Sequence, residues 1–76
     1  MDLQEFVLNF ANQFDNTEAE LFAPETKFRD LDEWSSLIGL SVILMVDEEY
    51  GISLDSADMK KAETIEDLFN VVQSKA

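Results

Sequence analysis

The chain has 76 residues, and its 5 Lys and Arg stand against 17 Asp and Glu with no His, for a net charge of −12. That balance excludes nucleic-acid binding by phosphate neutralisation and anionic-lipid binding by a basic helix. Without Cys or His, Cys/His metal sites, thiol chemistry and Ser-His-Asp catalysis are excluded too. Charge alone would suggest disorder, but 46% hydrophobic and 11% aromatic residues point to a folded chain. The length allows one domain, residues 1–76. A domain of this size buries only about 60% of its unfolded surface, so its core must come from well-packed amphipathic elements.

A first helix is expected from Asp2 to about Phe14. Leu3, Phe6, Val7, Phe10, Ala11 and Phe14 follow one helix face, and Asp2 and Glu5 lie in the first turn, where the dipole favours acids. A long connection comes next, Asp15 to Ser35, broken by Pro24. Leu21, Phe22, Phe28, Leu31 and Trp34 are too many large apolar groups for a solvated linker, so they are expected to pin this loop to the core. A second helix runs from about Ser36 to Tyr50, with Gly51 as its natural C-terminal residue. Asp55-Ser56 opens a short third helix, about Ser56 to Lys61, carrying Ala57, Met59 and Ala62. Thr64 and Asp67 have capping-box spacing for a fourth helix, whose apolar side is Ile65, Leu68, Phe69, Val71 and Val72. The fold class expected is all-α: a small antiparallel four-helix bundle with three longer helices, a short third one and a long first loop. No basic and apolar leader opens the chain, and its most apolar run, Leu37 to Val46, is about half the roughly 20 residues of a spanning helix. A cytoplasmic, monomeric protein with no membrane span is expected.

The second helix carries two apolar stripes at about 100° per residue. One is Val42, Ile43, Val46 and Tyr50; the other is Leu37, Leu40 and Leu44, beside Ser41, Asp47 and Glu48. Either the long loop covers the leucines, or they stay exposed. An apolar stripe rimmed by acids would suit a partner with an apolar groove ringed by Lys and Arg. Ser35 and Ser36 stand at the start of this helix. Each could cap it, and a hydroxyl there is also a place to attach a phosphate, which backbone N–H groups and the helix dipole stabilise.

The stretch Leu31-Asp32-Glu33-Trp34-Ser35-Ser36-Leu37, continued by an apolar helix ending Asp47-Glu48-Glu49-Tyr50, resembles the acyl carrier proteins. Those are small acidic four-helix bundles with Asp-Ser-Leu at the start of the second helix. The resemblance covers nearly the whole chain: from Ser36 to the fourth helix it needs no gap, and Phe28, Tyr50, Leu54 and Thr64-Ile65 fall at matching positions. It implies 4′-phosphopantetheine, taken from coenzyme A by a phosphopantetheinyl transferase and attached to Ser36, with Leu37 as the following leucine. The motif's aspartate is Ser35 here, a departure that bears on which transferase acts. Ile38, Gly39 and Ser41 also depart from the more polar first turns of typical fatty-acid carriers.

The chain would then be a shuttle and not an enzyme. It would hold acyl intermediates as thioesters for enzymes of fatty-acid or related polyketide and lipid biosynthesis, and the arm would supply the thiol that the chain lacks. The resemblance implies docking of acyl-transfer and synthase enzymes with basic patches on Leu37, Leu40, Ser41, Leu44, Asp47 and Glu48. It implies an acyl pocket at Phe28, Ile43, Val46, Leu54, Met59, Ala62, Ile65 and Leu68, each of which also reads as an ordinary core residue. Peptidyl, aminoacyl and D-alanyl carriers share the serine and differ in cargo; an unmodified acidic interaction module is the reading from another class. No metal site is expected: a calcium loop starting at Asp30 would place Ser35 at its glycine and Ser41 at its closing glutamate.

Overall fold

Each helix begins at a side chain that accepts a backbone N–H otherwise left without a partner. In the computed structural model, which describes residues 1–76, Asp2 accepts from the Gln4 N–H and opens α1, Leu3–Ala11. Ser35 opens α2, Ser36–Tyr50, which Gly51 ends in the left-handed conformation at φ +66°. Asp55 and Asp58 form a reciprocal capping box at the start of α3, Ser56–Lys61. Thr64 and Asp67 form a second at the start of α4, Ile65–Lys75. There is no strand, and the protein is all-α.

The first helix stops earlier than its apolar periodicity suggests. Beyond Ala11 the chain tightens: the Gln13 N–H donates to the Phe10 carbonyl and the Phe14 N–H to that of Ala11, three residues back. These turns keep Phe14 on the buried face, so the apolar pattern outlasts the helix.

Sixteen buried apolar residues form one core. Phe6 and Phe10 enter it from α1, Val42, Met45 and Val46 from α2, Met59 from α3, and Ile65, Leu68, Phe69 and Val72 from α4. Helix α4 packs on α1 and α3, and α1 packs on α2. The Asn9 side chain donates to the Tyr50 hydroxyl at 2.9 Å, a polar tie between α1 and the end of α2. Burial pushes the Tyr50 hydroxyl above its ordinary value of 10.0.

The connection between α1 and α2 holds two single 3₁₀ turns, Ala19–Leu21 and Phe28–Asp30, and is fastened at both ends. The Glu33 carboxylate accepts from the Asp15 and Asn16 N–H groups at 2.7 and 3.0 Å and from the Thr17 hydroxyl at 2.6 Å. Those bonds, the Thr17 hydroxyl first, hold its carboxyl below the ordinary 4.5. Farther along, the carbonyls of Thr26 and Pro24 accept the Ile65 and Glu66 N–H groups, so the loop completes the open end of α4. An aromatic cluster carries the middle of the loop. Trp34 lies 4.9 Å from Phe28 and stacks parallel to Phe10 at 6.5 Å, while Phe22 meets Phe14 at 5.0 Å. Phe22, Phe28, Leu31 and Trp34 therefore pin the loop as expected, but Leu21 does not. It is 52% exposed, because its 3₁₀ turn directs it away while the next residue, Phe22, packs on the core.

Candidate functional site

The two serines at the start of α2 have different tasks. Ser35 is in extended backbone, and its Oγ accepts the Ile38 N–H at 3.2 Å. Ser36 is the first helical residue; it is exposed, and its hydroxyl makes no hydrogen bond within the protein. The side-chain cap is thus supplied without Ser36, and an accessible hydroxyl remains at the positive end of a 15-residue helix.

Beyond Ser36, α2 divides cleanly by face. Gly39, Val42, Met45 and Val46 are buried. Leu37, Leu40 and Leu44 are 72%, 58% and 60% exposed, so the loop leaves this stripe uncovered. Ser41 is half-buried, and Asp47 and Glu48 are exposed at the far end. The leucines recur at the i, i+3, i+7 spacing of one helix face and form a continuous apolar line from Ser36 to the acids. Met45 joins the core although neither apolar stripe included it. On a helix this apolar all round, periodicity does not single out the inner face.

A cleft of about 390 Å³ opens beside the serine. Its lining includes Ser36, Trp34, Leu40, Ile43 and Met59, together with the cationic residues Arg29 and Lys60. Two features shape it. Gly39 packs beside the Trp34 indole, where a Cβ would lie at contact distance, 3.4 Å from the ring. Arg29 ties the loop to α3 by donating to the Ala62 and Met59 carbonyls at the end of that helix. Of the eight residues matched to an acyl pocket, Ile43 and Met59 line this cleft, whereas Phe28, Val46, Leu54, Ala62, Ile65 and Leu68 are buried in the core. Arg29 and Lys60 were not legible as site residues. Nothing local to either marks it, and both reach the cleft only through the placement of the loop and α3.

The most voluminous cleft, about 480 Å³, lies elsewhere, between Asn16, Thr17, Glu18, Leu21, Leu31, Asp32 and Glu33. Its central carboxylate, Glu33, is already engaged by the loop's own donors. No group of three or more acidic side chains is placed to hold a metal ion. No helix is long and apolar enough to cross a membrane. No protein-family model matches the chain, and no solved structure matches it.

Proposed function

We propose that this chain is a phosphopantetheine-dependent acyl carrier, an antiparallel four-helix bundle that serves cytoplasmic acyl-transfer and synthase enzymes of fatty-acid or related biosynthesis. The observation that carries the reading is the division between neighbouring serines: Ser35 caps α2, and Ser36 presents an accessible hydroxyl with no other use. The residues around Ser36 fit the group, since the adjoining cleft combines four apolar side chains with two cations, the chemistry of a phosphodiester on an aliphatic stem. When attached, 4′-phosphopantetheine supplies the terminal thiol on which acyl cargo is held as a thioester.

The chain's own residues would tether, dock and accommodate. Ser36 is the tether. Leu37, Leu40 and Leu44 offer apolar contact beside it, with Ser41 on the flank and Asp47 and Glu48 as the acidic end of the same surface. A partner with an apolar groove and a basic rim would match that surface in both respects. Cargo reaching into the core would pass Ile43 and Met59, the two matched pocket residues at the cleft. A net charge of −12 opposes self-association and favours a monomer.

Intact-mass spectrometry after incubation with coenzyme A and a phosphopantetheinyl transferase tests the reading. Addition of one arm is expected, lost in Ser36→Ala and kept in Ser35→Ala; no addition with several competent transferases would falsify it. Leu44→Ala and Glu48→Lys should slow transfer by a docked enzyme with helical content unchanged, because both side chains are outside the core. Equal transfer rates would remove the docking face from the proposal.

A further inference from the structure

Arg29 and Lys60, two of the chain's 5 cationic residues, line the same cleft as Ser36. In a chain with 17 carboxylates, neither is within ion-pair distance of one, whereas Lys61 and Lys75 both pair with Asp58. Lys27, the remaining cation, is outside the cleft lining. The Lys60 side chain also makes no hydrogen bond within the protein. Arg29 commits two donors to the Met59 and Ala62 carbonyls, which leaves three of the five N–H groups of a guanidinium. The rest of the lining is the four apolar side chains Trp34, Leu40, Ile43 and Met59, with Gly39 and the hydroxyl residue Ser56. The cleft thus sets two cations and an apolar wall beside the Ser36 hydroxyl, a match for an anion joined to an aliphatic group.

We propose that the Arg29–Lys60 cleft is a resting seat for the near half of the arm, holding the phosphodiester at the two cations and the dimethyl-substituted pantoyl unit against Ile43 and Met59. This inference rests on the carrier reading. The phosphodiester is favoured over an anionic tip on the cargo by connectivity: it is bonded to Ser36 Oγ, and Ser36 itself lines the cleft, whereas the cargo is at the far end of a flexible arm. A seated arm is protected between encounters and is released when a partner's basic groove competes for the phosphodiester.

The test begins with the arm-bearing protein, verified by mass, and reads contacts between the pantoyl methyls and the Ile43 and Met59 side chains by nuclear Overhauser effects. Contacts are expected at low salt. Their intensity should fall by up to about fivefold in Lys60→Gln, the upper range of one exposed ion pair, fall further in Lys60→Glu, and return in Lys60→Arg. It should also fall at about 1 M salt, where charges are screened within about 3 Å. The exposed Lys60 side chain makes no polar contact, so these variants should keep the fold, which circular dichroism checks. Arm addition without such contacts, or contacts unchanged in Lys60→Glu, overturns the seat and leaves the carrier reading standing. Contacts that appear only when the arm carries a dicarboxylic acyl group overturn it in favour of the cargo's carboxylate. Failure of arm addition overturns both.

Discussion

Ser35 and Ser36 are chemically identical and adjacent, yet the backbone separates them. Ser35 is extended at φ −156° and ψ 170°, which turns its Oγ toward the Ile38 N–H, while Ser36 has already joined the helix and its side chain is free. Loss of a serine cap typically costs about 1 kcal/mol. Ser35→Ala should therefore lower stability by about that amount, whereas Ser36→Ala should change it little, since alanine is the better helix former within the first turn. Denaturant melts of both variants check this, and equal losses would mean that capping is shared. Gly39 is the other position where one atom matters. A helix-interior glycine costs about 1 kcal/mol against alanine, and a Cβ at 3.4 Å from Trp34 is at ordinary contact distance. Gly39→Ala is expected to stabilise the protein slightly, with Trp34 fluorescence unchanged.

At the scale of elements, α3 is the piece most dependent on its neighbours. It has six residues, too few to persist alone, and it is held by charge at both ends. Asp58 is 5% exposed; it accepts from the Asp55 N–H and pairs with Lys75 of α4 at 2.7 Å. The Lys75 bond first, and then the Asp55 N–H, hold the Asp58 carboxyl below its ordinary 3.8, while the same pair raises Lys75 above 10.5. Stabilisation from Asp58 is therefore complete above its unfolded value and is lost as pH falls through the lower folded one. That from Lys75 is complete below about its unfolded value, and is lost as pH rises through the higher folded one. Lys75→Met should move the acid-unfolding midpoint to higher pH, as followed by circular dichroism; an unmoved midpoint would show that the pair does not hold α3. The cap of α4, and for α2 a choice between two serines, were legible in the sequence because a capping residue and its target lie within three residues of each other. The clasp from Lys75 was not, because its partner is 17 positions away (75 − 58) on another helix. Glu33 escaped notice for the same reason, its donors lying at Asp15, Asn16 and Thr17. Within the candidate site, the serine pair and the leucine stripe were legible from local order, whereas Arg29 and Lys60 come together only in the folded chain.

Over the whole molecule, 17 acids are confined to a body 29 Å by 23 Å by 20 Å, so most carboxylates face another within a Debye length. Moderate salt should raise the melting temperature by screening this repulsion, and divalent cations should raise it further at equal ionic strength. A melting temperature independent of salt would contradict this. Against that repulsion stands a single apolar core, in which Phe10 touches Phe14, Phe22, Phe28 and Trp34. Phe10→Ala, at about 3–5 kcal/mol, should leave little cooperative unfolding. The loop belongs to that core through its aromatics and to α4 through the carbonyls of Pro24 and Thr26. Because those carbonyls hold the Ile65 and Glu66 amides, the protons there are guarded by the loop and not by the helix they begin. Their deuterium uptake would track the opening of a segment some forty residues earlier in the chain. Any partner that grips or loosens the loop would thus leave its mark as slowed or hastened exchange at the start of α4.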